Sequence, residues 1–135
     1  MAVLLGSGCS SSDSLPPAHA DNPLRECPDS PNCERVSARY PVPPERLYAG
    51  ATTALDALGP IRLQAQSDSI QASAVYRVAL VFKDDVDVAV DSISDGSRLH
   101  VRSASRLGHS DLGVNRRRVQ HLLSRVDDAL DATSN

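Results

Sequence analysis

Between Val86 and Ser105 apolar and polar residues alternate on both sides of Asp95-Gly96, and no other feature constrains the fold as tightly. Val86, Val88 and Val90 alternate with Asp87, Ala89 and Asp91; Leu99, Val101, Ser103 and Ser105 carry the period on. A period of two marks a strand with one buried face. Asp-Gly is a strong signal for a two-residue hairpin loop. With that loop, Val90 faces Val101, Val88 faces Ser103 and Val86 faces Ser105. On the other face Asp91 meets His100, Ala89 meets Arg102 and Asp85 meets Arg106. One face is then apolar and ends in hydroxyls. The other sets acids against bases, each pair contributing ~0.2–1 kcal/mol.

The remaining elements fall around this hairpin. Pro44 suits a first helical position. Leu47, Tyr48, Ala51, Leu55 and Leu58 share one helical face, and Gly59-Pro60 ends the helix. Residues 61–65 alternate as a strand, and 67–69 turn. Residues 70–82 form one long strand or two short ones, which Lys83-Asp84-Asp85 interrupts. A second helix spans residues 115–132, with Val119, Leu122, Leu123, Val126 and Leu130 as its apolar stripe and Asp111 or Asn115 as its cap. Its first turn carries Arg116-Arg-Arg118 and its end carries Asp127, Asp128 and Asp131, opposite to what the helix dipole favours. That polarity calls for compensating partners. Aromatic residues make up 3% of the chain and Trp is absent, so Val, Leu, Ile and Ala must supply the core. The expected fold is α+β: an antiparallel sheet of about four strands with two helices on its apolar face.

The 135 residues suffice for one domain, expected over residues 27–135. A formal charge of −3 argues against general nucleic-acid binding, which needs a net basic face. Residues 1–9 look like the remnant of a lipoprotein signal: Leu4-Leu5-Gly-Ser-Gly leads into Cys9, the expected lipid attachment site. Leu5 lies four places before Cys9, one further than usual, and eight residues precede the cysteine, so a longer leader is expected. Residues 10–26 are rich in Ser, Pro, Asp and Asn and read as a flexible tether. Cys27-Pro-Asp-Ser-Pro-Asn-Cys33 is a turn-rich loop. In an exported protein its cysteines read as a disulfide. Zinc is the rival, but two thiolates are half of what it requires.

The residues joining the last strand to the last helix are the densest in polar side chains and glycine. The run Arg102-Ser-Ala-Ser-Arg106, Gly108, Ser110-Asp111, Gly113 and Asn115-Arg-Arg-Arg118, with Phe82-Lys-Asp-Asp-Val86 and the cysteine loop, resembles the bacterial and plastid family known as domain of unknown function 1499. The likeness spans about residues 24–130. After the second cysteine the family tends to read Val-Ser-Ser, where this chain has Glu34-Arg35-Val36-Ser37. The resemblance implies an envelope-associated or secreted domain, often lipid-anchored, and brings no established activity.

Three chemistries compete for these residues. Ser110 with His109 suggests a hydrolase, but sequence neighbours rarely converge, no Gly-x-Ser-x-Gly elbow is present, and Ser103 and Ser105 face away from His100. Asp84, Asp85 and Asp87 with His100 or His109 suggest a hard cation, but each aspartate has a cationic neighbour across the hairpin. Arg102, Arg106, Arg116, Arg117 and Arg118 suggest either an anion site or a charge-matched joint with Asp84, Asp85 and Asp111. The expectation is a non-enzymatic domain of the cell envelope or periplasm, membrane-held through Cys9, that binds an envelope protein or a small molecule, an anion among the alternatives. No cofactor or metal is expected.

Overall fold

The computed structural model describes residues 14–108 and 113–134. Strands β1 (Cys33–Tyr40), β2 (Arg62–Gln66), β3 (Gln71–Val78), β4 (Phe82–Ile93) and β5 (Gly96–Ser105) form one antiparallel sheet, in the order β1-β5-β4-β3-β2. Helices α1 (Pro44–Ala57) and α2 (Val114–Thr133) pack on one face of it and on each other. The architecture is the α+β fold expected, with a fifth strand. That strand is β1, which contains Glu34, Arg35, Ser37 and Arg39. Val36 is its one deeply buried apolar residue, so its period was too faint to read.

Alternation sorts the sheet into two faces. Val36, Ala72, Ala74, Val86, Val88, Leu99 and Val101 meet Leu47, Leu55, Val119, Leu122 and Val126 of the helices in one core. Helix α1 is built as expected at both ends. Pro44 opens α1, and Gly59 at φ 74° closes it by donating to the Asp56 carbonyl. The start of α2 differs. Gly113, left-handed at φ 79°, occupies the cap position, and Asn115 turns inward and is fully buried. Asp111, the other cap expected, lies outside the described residues.

The β4–β5 hairpin has the expected faces and a register shifted by two. Val90 pairs with Leu99, Val88 with Val101, Val86 with Ser103, Asp91 with Arg98 and Asp87 with Arg102. The loop is Ser94-Asp95, and Gly96 already pairs with Ile93. Gly96 is needed for a different reason: a Cβ there would collide with the Tyr40 carbonyl, where the chain leaves β1. The glycine thus reports a close approach of the edge strand. Further along, Lys83-Asp84-Asp85 lies inside β4, and the break between β3 and β4 is the turn at Ala79, Leu80 and Val81.

Residues 14–26 correct the tether reading over their length. They run along the open edge of β1 and onto the outer face as a strap. Leu15 packs against the core, and the Ser37 N–H donates to the Pro17 carbonyl at 3.3 Å. Asn22 Nδ2 donates to the Val36 carbonyl, and the Arg35 guanidinium donates to the carbonyls of Asn22 and Leu24. Backbone hydrogen bonds hold a segment that has little apolar surface, and they also occupy an edge strand that would otherwise pair with another chain. Residues 1–9, with Cys9, and 10–13 lie outside the described residues.

Candidate functional site

Two polar sites flank the end of β5, one on each face of the sheet. The first is a buried joint beneath α2. Asp84 shares the core face with Val86 and is 2% exposed. Arg118 of α2 donates to it at 2.6 Å and lies over the Tyr76 ring, 5.1 Å from its centre. Burial pushes the Tyr76 phenol up to about 12, against the opposing pull of Arg118, and its hydroxyl donates to the Leu55 carbonyl. Ser103 donates to Asn115 Oδ1 at 2.5 Å, and Asn115 Nδ2 donates to Ser105 Oγ and to the Asn32 carbonyl. Asn32 in turn donates through Nδ2 to the Gly108 carbonyl. The Cys27–Cys33 disulfide, with S–S at 2.05 Å, closes the loop that presents Asn32. The joint fastens the loop, β5 and α2 together.

The second site is a cleft of about 540 Å³ on the opposite face, between the cysteine loop and strands β4 and β5. Its walls include Arg25, Asn32, Asp85, Arg102, Ser105 and Arg106. Arg106 spans Asp85 in a two-pronged pair at 2.8 and 2.9 Å, which raises its own pKa. Arg102 is different. It is 5% exposed, and among the described residues its Nε–H has no hydrogen-bond partner, while Nη2 donates to the Glu26 carbonyl at 3.5 Å. Asp87, directly across in β4, accepts from Ser73 Oγ at 2.7 Å and forms no ion pair with Arg102. Arg35 faces Arg102 from β1 and spends its guanidinium on the strap. Burial first, then Arg25, holds the Arg102 pKa below the usual arginine range. A cation taken from water without a full set of acceptors is costly unless something anionic completes it.

A Ser–His–Asp chain that the sequence reading missed lies on the same face. His100, fully buried, contacts Ser37 Oγ through Nδ1 at 2.7 Å and Asp91 Oδ2 through Nε2 at 3.0 Å. The Ser37 oxygen accepts from the His19 N–H and from Asn22 Nδ2. Its proton therefore points to Nδ1, and Nε2–H points to Asp91. With its oxygen so occupied and the strap above it, Ser37 clasps the strap and presents no open nucleophile. Asp91 and His100 were expected to meet face to face; they meet on a diagonal.

The expected site residues therefore divide. Asp84, Asn115 and Arg118 join the buried network, whereas Asp85, Arg102 and Arg106 join the outer cleft. Arg116 has no ion-pair partner among the described residues, and Arg117 is exposed on α2. A single arginine corner does not form, because Arg102 projects from the outer face of the sheet while Arg118, on α2, lies against the other face. For the same reason Asp84 cannot share a cation with Asp85 and Asp87, and no group of three metal-ligating side chains occurs among the described residues. His109, Ser110 and Asp111 lie outside them. Arg25, Arg35 and Asn32 were not foreseen; the two arginines on either side of the cysteine loop were the one available signal.

A search of curated proteins finds no match in sequence. The fold recurs in solved structures at low identity. Ara h 8.0201 superposes with a TM-score of 0.56 at 13% identity, covering 76% of this chain and 98% of that one. The di-domain ARO/CYC StfQ of the steffimycin biosynthetic pathway gives 0.57 at 13%, covering 75% and 46%. MLL2253 from Mesorhizobium loti gives 0.55 at 12%, covering 75% and 98%. At such identities the likeness is one of fold alone. In sequence, residues 23–126 match the family described as "Protein of unknown function (DUF1499)". That span holds the cysteine loop, both sides of the joint and the Arg102 cleft, and the chain belongs to the DUF1499 family.

Proposed function

We propose that this chain is a non-enzymatic binding domain of the cell envelope, held to a membrane through an acylated Cys9, and that its ligand is a small oxyanion, phosphate-like or carboxylate, taken into the Arg102 cleft. The observation that carries the reading is the buried Arg102 Nε–H without an acceptor, at the wall of a cleft that Arg25 and Arg106 also line. Guanidinium suits bidentate recognition of such anions, and a buried donor discriminates strongly for a group that satisfies it. The expected corner of five arginines is thereby replaced by a narrower site on one face.

The reading is tested by calorimetric titration and thermal unfolding with phosphate, sulfate and acetate. Saturable binding of at least one is expected, with stabilisation of ~2.7 kcal/mol at a hundred times Kd. Arg102→Met abolishes it, while Arg39→Gln, whose guanidinium pairs with Asp95 at the far end of β1, does not. Unsaturable heats with all three anions would remove the proposal. Mass spectrometry of native protein tests the anchor: acyl chains on Cys9 are expected, and an unmodified Cys9 would remove the lipid anchor from the proposal.

A further inference from the structure

The β3–β4 turn is made of residues that turns exposed to water avoid. Val78 pairs with Phe82, so Ala79, Leu80 and Val81 form the loop. Ala79 sits at φ 55°, where glycine, asparagine or aspartate is the usual occupant. Leu80 is 86% exposed, Val81 75% and Phe82 49%. Leu107, two residues beyond β5, is 72% exposed and borders the same recess as Phe82 and Val78. Single exposed apolar residues are ordinary. A contiguous apolar group at one end of a sheet marks a contact with something other than water.

The charge beside it indicates what. One pair inward from the turn, Arg77 stands directly opposite Lys83, and both are exposed. Like charges facing each other across strands destabilise the hairpin, and neither residue forms an ion pair among the described residues. Arg117, in the first turn of α2, borders the same recess as Arg77. Asp127, Asp128 and Asp131 close α2 beside Tyr40, whose phenol burial and then Asp127 push up. Asp84 and Asp85, next along β4, are taken up by Arg118 and Arg106, so the exposed leucine, valine and phenylalanine are flanked by Arg77 and Lys83.

We infer that the Leu80-Val81-Phe82 tip inserts at the surface of an anionic lipid bilayer, with Arg77 and Lys83 at the depth of the headgroups. Apolar side chains take the interfacial region while flanking cations meet acidic lipid. A bilayer surface fits better than a protein groove because the tip is a narrow convex loop bracketed by cations. The inference concerns the domain itself and does not depend on acylation of Cys9 or on the Arg102 cleft.

The test is co-sedimentation of the full, unacylated chain carrying Cys9→Ser with large vesicles. One set is phosphatidylglycerol mixed with phosphatidylcholine, the other phosphatidylcholine alone. Partitioning at least tenfold stronger onto the anionic vesicles is expected, weakening as salt rises. Leu80→Ser with Val81→Ser removes it at least tenfold, and Arg77→Gln with Lys83→Gln reduces its dependence on the acidic lipid. Arg77, Leu80, Val81 and Lys83 are exposed, and unfolding curves check that the variants fold; should the Leu80/Val81 pair melt early, Leu80→Gln alone carries the test. Absence of wild-type sedimentation at low salt, or Leu80/Val81 and Leu80→Gln variants that sediment like wild type, overturns the inference. The second result would leave a protein as the partner of this tip.

Discussion

Two arginines sixteen positions apart have opposite fates, and the difference is one of acceptors. Arg118 reaches Asp84 and Asn115 in a closed network, whereas Arg102 is buried with its Nε–H unpaired. Substitutions should therefore move stability in opposite directions. Asp84→Ala strands a buried guanidinium and should cost ~3–5 kcal/mol in urea unfolding. Arg102→Met removes an unsatisfied donor and, without ligand, should leave stability unchanged or raise it by ~1–3 kcal/mol. A large loss on Arg102→Met would show that the residue is a structural member of the sheet. Part of this was legible. Asp84 shares the parity of Val86, so alternation alone places it among the helices, and Arg118 was a named candidate partner. The burial of His100 was not legible, because it depends on the strap, whose composition carries no signal for docking.

Among the elements, the cysteine loop does the most to shape both sites. Cys33 begins β1, Asn32 fastens Ser105 and Gly108, and Cys27 and Pro28 wall the cleft. Replacing both cysteines by serine should lower stability by ~2–3 kcal/mol, the loop-closure value for so short a ring. It should also weaken anion binding without touching an arginine, and titration of the double variant checks this. Gly96→Ala tests the other end of the sheet. Its Cβ would collide with the Tyr40 carbonyl, so a loss of ~1–3 kcal/mol is expected by thermal unfolding. The faces of the β4–β5 hairpin were readable from alternation because a shift of two preserves them. Its register was not, since the role of Gly96 depends on β1, an edge strand with little apolar pattern of its own.

At the scale of the molecule, charge is arranged against the dipole of α2, and both ends are answered from outside the helix. At its start Arg118 finds Asp84; at its end Arg46 of α1 donates to the Leu130 carbonyl at 2.9 Å. The compensation is incomplete at Asp127, whose carboxyl is pushed above the usual range by burial, then by Asp131 and Asp128. An acid whose pKa rises on folding destabilises the fold while ionised, and the penalty fades as pH falls through the folded value. Asp127→Asn should therefore raise the Tm at neutral pH, by the equivalent of ~0.3–1 kcal/mol, with the gain shrinking toward acid. Thermal scans across pH check the sign. The reversed polarity was plain in the sequence; which partners answer it is a matter of tertiary placement.

The central claim is that Arg102 waits for an oxyanion, and its own Nε–H resonance reports on it. In a nitrogen-15 correlation spectrum of the full chain, titration with whichever of phosphate, sulfate or acetate binds calorimetrically should shift the Arg102 Nε–H signal along a saturating curve, while that of Arg39 stays in place. An Arg102 signal that holds still while exposed arginines drift with ionic strength would contradict the account.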